Sequence, residues 1–439
     1  MTGPSVGIVG AGPAGFYVAD ALLRSLTDAR IDLVDRLPTP YGLVRGGVAP
    51  DHQGTKNIAR QFERTLTRAG VRFVGNVAVG RHVSYEEIRQ AYDVVVIATG
   101  APVDRRLGIP GEDLPGVYGS GAFVGWYNGV PDYSELAPPL DHPALAVIGN
   151  GNVALDIVRI LAKTPEELAA SDLPRPVREA LARSALRDIF LIGRRGPAQT
   201  GFSPAELAEL GELAQARPVV DASQLSTAIP EIGDAGRQTN SGKILDLLRR
   251  FADPLPRPKP VRIHLLFHAT PAAILGNARV TGLHLERNRS AGGRVQPAGG
   301  SFDLQVGVVV TAIGYRSAPF RGLPFDDARG VVSNVAGRVA DGVYATGWCR
   351  RGAQGAIPDN RSDAISVAGL ILDDLGADRG TYRKPGPGML DALLAARGVE
   401  RVDFAGWQRI RTAESARAEP GRPREKLTKI QELLAVARG

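Results

Sequence analysis

The chain has one cysteine, Cys349, in 439 residues. A single thiol excludes an intrachain disulfide, a cysteine-built iron–sulfur or zinc cage and a paired-cysteine redox centre. It also points to a reducing, cytoplasmic setting. No apolar run approaches the ~18 residues that a bilayer demands, so no membrane span is expected. No metal site is expected either. The first glycine motif begins at residue 10, and no leader segment is expected ahead of it. There are 53 Lys and Arg against 46 Asp and Glu, a net charge of +7. With no nucleic-acid fold motif beside it, that excess suits an acidic protein or cofactor phosphates rather than nucleic acid.

Two stretches stand out in this otherwise ordinary composition. Gly10-Ala11-Gly12-Pro13-Ala14-Gly15 follows an apolar run and opens a helical stretch from Phe16 to Arg24. Asp35 stands at the end of the next apolar run, Ile31-Asp32-Leu33-Val34. This is the fingerprint of a strand–turn–helix–strand unit for an adenine dinucleotide. The glycines allow a tight turn and close approach of the pyrophosphate, and the carboxylate takes ribose hydroxyls. Gly149-Asn150-Gly151-Asn152-Val153-Ala154 repeats the pattern and opens a helix from Leu155 to Lys163. Its second strand, Ile189-Phe190-Leu191-Ile192, ends in Gly193-Arg194-Arg195-Gly196 with no acid. Arginines there accept a 2′-phosphate that a carboxylate would repel, so the second site suits NADPH. Two nucleotide sites of different selectivity suggest a flavin fed by a nicotinamide.

The length fits two or three domains. The expected fold is α/β, with two Rossmann-like dinucleotide-binding domains, the second inserted in the first. The boundaries are 1–105 for the first part of one domain, 106–316 for the inserted NADP domain, and 317–439 for the return with a basic helical tail. Residues 1–105 read as strand–helix–strand, a helix from Thr55 to Arg68, and a closing strand, Asp93–Ile97. The inserted domain closes on a similar strand, Val306 to Ala312. Asp341–Gly347 reads as a short strand that completes the first site. Thr164-Pro165-Glu166-Glu167 looks like a helix cap. Pro254, Pro256, Pro258 and Pro260 suggest a stiff connection, and the polar, Gly-rich tract from Asn288 to Gly300 a hairpin loop.

Several longer motifs carry a resemblance. They are Thr39-Pro40-Tyr41-Gly42-Leu43-Val44-Arg45, Gly47-Val48-Ala49-Pro50-Asp51-His52, Gly151–Asp156 and Gly193–Gln199. Gly347-Trp348 with Arg351-Gly352 and Gly355-Ala356-Ile357 continue the series. In this order the chain resembles adrenodoxin reductase-like ferredoxin–NADP reductases of the bacterial, actinobacterial type. The resemblance implies a glutathione-reductase-like fold with FAD at the first site and NADPH at the second. Ala14, Asp35, Leu43, Val77 and Arg105, beside Gly10, Gly12 and Gly15, match flavin-contacting positions. Trp348, Gly355, Ala356 and Ile357 match positions next to the isoalloxazine. Asn150, Gly151, Asn152, Val153, Arg194, Arg195 and Glu206 match the NADP-contacting set. His52 matches an active-site histidine, with Asp156 and Glu206 as its companions. The chain departs from the family at Ala353, Gln354, Ala356 and Cys349, all at the nicotinamide–flavin junction, and has Asp35 where Glu is usual.

Each assignment has a plainer competitor. Glu206 is also third in the capping box Ser203-Pro204-Ala205-Glu206. Asp156 could complement a helix dipole. Hydride transfer requires no general acid, so His52 reads as a group orienting the nicotinamide or tuning the flavin. Cys349 reads as a small buried hydrophobe. The implied activity is hydride transfer from NADPH to FAD and single-electron delivery to an acidic ferredoxin, serving a chain that could end in a cytochrome P450. Lys243, Arg249, Arg250, Arg350 and Arg351 are the candidate docking cations. The competing activity is an NADPH diaphorase or oxidase using quinone or oxygen, which needs no basic docking face. A non-catalytic nucleotide sensor would need neither a bleachable flavin nor the His52 loop.

Overall fold

The computed structural model describes residues 3–225, 235–253, 258–291, 294–377 and 383–439. The chain divides into two compact units. One comprises Met1–Val103, Asn128–Ser134 and Gly314–Gly439, and the other Asp104–Tyr127 and Glu135–Ile313.

The first unit is built on a six-stranded sheet in the order Arg338–Ala340, Val343–Ala345, Val94–Ile97, Ser5–Val9, Arg30–Val34, Val71–Val74. All neighbours are parallel except the edge pair Arg338–Ala340 with Val343–Ala345. The central strands are apolar along both faces, as a sheet covered on both sides requires. Every residue of Ser5–Val9 and of Val94–Ile97 is buried. Val343–Ala345 pairs with Val94–Ile97, so the chain returns to the first sheet after the second unit.

The second unit repeats the plan. Its sheet runs Val117–Gly119, Val308–Thr311, Ala144–Ile148, Asp188–Ile192, Val261–Leu266, Ala216–Val220, parallel throughout. In each unit the strand before the glycine motif is flanked by its second strand on one side and a late strand on the other. Ligands of open α/β sheets bind beyond the carboxyl ends of strands at such a reversal of order.

Some local expectations change. The Asn288–Gly300 tract is mostly strand, because Val280–Ala291 and Arg294–Leu304 pair antiparallel. Most residues of Arg294–Leu304 are exposed, so solvation leaves no alternation for a sequence to display. Thr164 and Glu167 do exchange the two hydrogen bonds of a capping box, yet only a turn follows, and the helix of this excursion is Arg175–Ala182. The Thr55–Arg68 helix is broken into Gln53–Lys56 and Ala59–Leu66. Pro254 and Pro256 lie outside the described residues. The tail is helical at Pro387–Ala396, Phe404–Ala416 and Ile430–Arg438.

Candidate functional site

The first glycine motif closes tightly around its strand. Gly10 has φ +115°, and a Cβ on it would lie 2.3 Å from the carbonyl oxygen of Ala98, just past Val94–Ile97. A Cβ on Gly15 would lie 2.1 Å from the Gly10 oxygen. The helix Pro13–Leu22 that follows has Gly12 at its N-cap, no side-chain cap and no acid in its first turn. Its leading N–H groups therefore present partial positive charge with no internal acceptor. Asp35 stands beside them. Its carboxylate accepts from Ala11 N–H at 2.8 Å and Leu37 N–H at 3.0 Å, leaving further lone pairs for hydroxyl donors. Burial pushes this carboxyl above its usual range, against the opposing effects of those two N–H groups and Arg36. Val77 is buried and donates its N–H to the Asp35 carbonyl at 2.8 Å.

Two further segments approach the motif. Tyr41 donates its N–H to Ala11 at 2.7 Å, and a Cβ on Gly42 (φ +47°) would meet Gly12 Cα at 2.9 Å. The tail fixes this loop from behind. Arg45 Nη1 donates to buried Glu414 at 2.9 Å, its guanidinium lies over the Trp407 ring, and Trp407 meets Tyr41 edge-on. On the other side, a Cβ on Gly347 (φ +73°) would meet Ala14 Cβ at 2.6 Å. Leu43 remains 46% exposed, an apolar surface left on the cradle. His52 caps the short helix Gln53–Lys56 through its backbone, donating its N–H to Ala49 at 3.0 Å and accepting from Lys56 at 3.3 Å.

Gly347 leads into the Trp348–Arg351 turn. Trp348 lies nearly parallel to Tyr315, with ring centroids 6.1 Å apart and 13° between planes, and its Nε1 is buried with no hydrogen-bond partner. Asp363, which the sequence reading passed over, anchors this turn. It accepts from Thr346 Oγ1 at 2.9 Å and from Gly347 N–H, and pairs with Arg350. Arg351 is 3.8 Å from the same carboxylate and donates to Asn360. Arg350 and Arg351 are therefore held by internal contacts, their side chains 21% and 25% exposed. Arg249 is paired with Asp246, and Lys243 is exposed. Gly355, Ala356 and Ile357 precede Asp359–Ala377, with Ala356 N–H donating to Asp359. Cys349 is buried as expected, and burial pushes its thiol up to about 11. It stays protonated at neutral pH and is a poor nucleophile.

The second motif reproduces the first. A Cβ on Gly149 (φ +138°) would lie 2.2 Å from the Ala312 oxygen, past Val308–Thr311. The helix Asn152–Ala162 starts from Gly151 without a side-chain cap or first-turn acid, and a Cβ on Gly151 would meet nothing within 4 Å. Asn150 lies against Gly193, where a Cβ would come 1.7 Å from its Nδ2. Asn152 Oδ1 accepts from Ser203 N–H at 2.9 Å, and Val153 occupies the first turn. Arg194 and Arg195 are exposed, with no carboxylate partner among the described residues. Arg105 is exposed and falls in this second unit. By contrast, the helices beginning after Ser84, Ser203 and Asp403 are all capped by those side chains.

The two acids meet a residue that the sequence reading passed over. Arg159 is fully buried and pairs with Asp156 at 2.7 Å, Glu206 at 3.1 Å and Glu209 at 3.1 Å. Ser203 does cap its helix by accepting the Glu206 N–H at 3.2 Å. The reciprocal half of the box is replaced, because Ser203 donates its N–H to Asn152 and the Glu206 carboxylate turns to Arg159. A lone arginine inside the apolar run Val153–Ala162 was the available signal.

The pattern described as "Pyridine nucleotide-disulphide oxidoreductase" matches residues 4–185. "NADPH-ferredoxin reductase FprA" of Mycobacterium tuberculosis is 40% identical over 456 residues, covering 99% of this chain and 99% of that protein. "NADPH:adrenodoxin oxidoreductase, mitochondrial" of Homo sapiens is 39% identical over 98% of this chain and 91% of its own length. The structure of M. tuberculosis FprA in complex with NADPH superposes with a TM-score of 0.93 at 40% identity, covering 99% of this chain and all of that one. With its single cysteine the chain has no disulphide centre of its own. It belongs to the family of NADPH-ferredoxin and NADPH:adrenodoxin reductases.

Proposed function

We propose that this chain is an NADPH:ferredoxin oxidoreductase that carries FAD in its first unit and takes NADPH in its second. The observation that carries this is the pair of uncapped fingerprint helices, Pro13–Leu22 and Asn152–Ala162, with different readout residues beside them. The helices after Ser84, Ser203 and Asp403 take a serine or aspartate cap. Arg175–Ala182 and Ile430–Arg438 also lack one, but only the two fingerprint helices start from a glycine motif at the end of a buried parallel strand. At these two places the donors are left for a diphosphate. Asp35 holds ribose hydroxyls at the first site and excludes a 2′-phosphate, which Arg194 and Arg195 bind at the second.

The cradle suits a flavin in its residues. Gly10, Gly12, Ala14 and Gly15 admit the diphosphate, Leu43 and Gly355–Ile357 border the ring, and the unpartnered Trp348 Nε1 lacks an acceptor. Bound flavin supplies the chemistry that no side chain can, accepting two electrons together and releasing them singly. The protein's work is placement. Tyr41 to Arg45, held by Glu414, and Trp348, held through Asp363, fix the two walls. Arg159 keeps Asp156 and Glu206 in place, so that their charges do not repel the incoming phosphates. His52 serves to orient the nicotinamide or to tune the flavin. The electron acceptor is an acidic ferredoxin, for which Lys243, Arg249, Arg250, Arg350 and Arg351 are the candidate contacts. No helix among the described residues is long and apolar enough to cross a membrane, and the single thiol supports a reducing, cytoplasmic setting.

Anaerobic titration of the purified holoprotein tests this reading. A yellow chromophore should bleach with one equivalent of NADPH and much more slowly with NADH. Protein without flavin, or equal bleaching by both nucleotides, would refute the two-site assignment.

A further inference from the structure

His268 lies in the short link between strands Val261–Leu266 and Ala269–Gly276. It is one of four non-glycine residues with positive φ, at +53°, among the described residues. A non-glycine residue is uncommon in this conformation, histidine being among the types that enter it more readily, and it costs backbone energy that the surroundings must offset. Here the surroundings are the loop that carries the two arginines. His268 donates its N–H to the Arg195 carbonyl at 3.3 Å, and its neighbour Ala269 donates to Gly193 at 3.2 Å. Its own carbonyl accepts from Asn288 at 2.9 Å. The ring lies against Gly196, where a Cβ would come 2.9 Å from both Cε1 and Nε2. Gly196 itself has φ −71°, a conformation any residue can adopt. A side chain at position 196 would therefore have to displace the imidazole, while the backbone itself would accept any residue.

Burial holds the imidazole below its ordinary pKa, opposed by the neighbouring Asn288 side chain. Its Nδ1 is buried without a hydrogen-bond partner. An unpaired polar atom has a cost that a plain apolar filler would avoid. Farther along the loop, Ser241 Oγ donates to the Ala198 carbonyl at 2.9 Å and Ser290 Oγ to Gln199 Oε1 at 2.9 Å. The backbone from Gly193 to Gln199 is thus pinned on one side while both guanidinium groups stay exposed.

We infer that His268 is a positioning residue for nucleotide selectivity. Its ring, wedged against Gly196, sets the loop conformation in which Arg194 and Arg195 converge on one 2′-phosphate. This rests on the assignment of those arginines to that phosphate. It adds a residue that acts on the discrimination through the loop it holds. Flexible arginines on a loose loop would lose side-chain entropy on each binding event, and preorganisation removes part of that cost.

Calorimetric titration of the flavin-loaded protein with 2′,5′-ADP and with 5′-AMP tests it, since the two probes differ only in the 2′-phosphate. The wild type should bind 2′,5′-ADP far more tightly. His268→Gly, which relieves the strain and removes the ring, should weaken 2′,5′-ADP about tenfold and change 5′-AMP less than twofold. Gly196→Ala, which forces ring and loop apart, should give a comparable loss alone and little further loss in the His268→Gly background, because the two act through one contact. Thermal midpoints within a few degrees of wild type would confirm that folding is intact. Full retention of discrimination by His268→Gly, or simple additivity of the two variants, would overturn the inference. A wild-type protein that binds both probes alike would instead refute the arginine assignment on which it rests.

Discussion

Replacing Arg194 and Arg195 together with alanine is expected to lower kcat/KM for NADPH by about 10²–10³-fold, with NADH changed only a few-fold. The side chains are exposed and have no carboxylate partner among the described residues, so removing them breaks no internal ion pair. What disappears is charge-assisted hydrogen bonding to the 2′-phosphate, worth roughly 1.5–3 kcal/mol for each such contact. Two contacts sharing one phosphate do not add fully, and about 3–4 kcal/mol corresponds to the stated range. NADH has a hydroxyl where NADPH has the phosphate, so it loses little. The double lysine variant should recover only part of the loss, because an ammonium is a point charge and lacks the bidentate fork. Steady-state kinetics with both nucleotides decides the matter. Retained preference for NADPH in the alanine variant would place the phosphate elsewhere.

The second large effect is expected at Arg159. Its fully buried guanidinium serves Asp156, Glu206 and Glu209, whose side chains are 17%, 23% and 39% exposed. Arg159→Met keeps most of the volume but leaves three acids facing one another. Breaking a buried pair from one side costs about 3–5 kcal/mol. Because the acids retain some solvent, the lower end applies. For a unit of this size each kcal/mol shifts the midpoint by roughly 2–4 °C, so unfolding of the second unit should begin about 6–12 °C lower. Salt should narrow the difference by screening the acids. The same variant should weaken NADPH binding, since uncompensated negative charge would then stand beside a phosphate-binding helix. An unchanged midpoint would show that Arg159 is dispensable and that solvent alone carries the acids.

The parts of the site legible in the sequence are those encoded over short distances. Gly10 to Asp35 and Gly149 to Arg195 each lie within one strand–helix–strand unit, where spacing alone fixes geometry. Trp348 and the Gly42–Leu43 segment were reached through long motifs rather than through any local rule. The remainder depends on contacts between residues far apart in sequence. Arg45 meets Glu414 across 369 positions, and no periodicity reports that. Arg159 is only three residues from Asp156, yet its engagement with Glu206 and Glu209 depends on how Pro204–Glu212 packs. Arg350 and Arg351 read as free cations because Asp363 lies in another helix. His268 carried no signal at all, since neither its strained backbone nor its contact with Gly196 follows from residue type. At Thr164 the sequence correctly implied a reciprocal cap, and the chain failed to continue as a helix beyond it.

Electrons from NADPH are expected to leave this protein singly to an iron–sulfur partner. The most direct test is NADPH-driven cytochrome c reduction by the holoprotein, with and without an added acidic ferredoxin, over rising salt. A rate that depends on ferredoxin, prefers NADPH over NADH and falls as salt screens the docking charges is the result expected. A rate indifferent to ferredoxin, with oxygen or quinone consumed in its place, would contradict the account and make the protein an NADPH diaphorase.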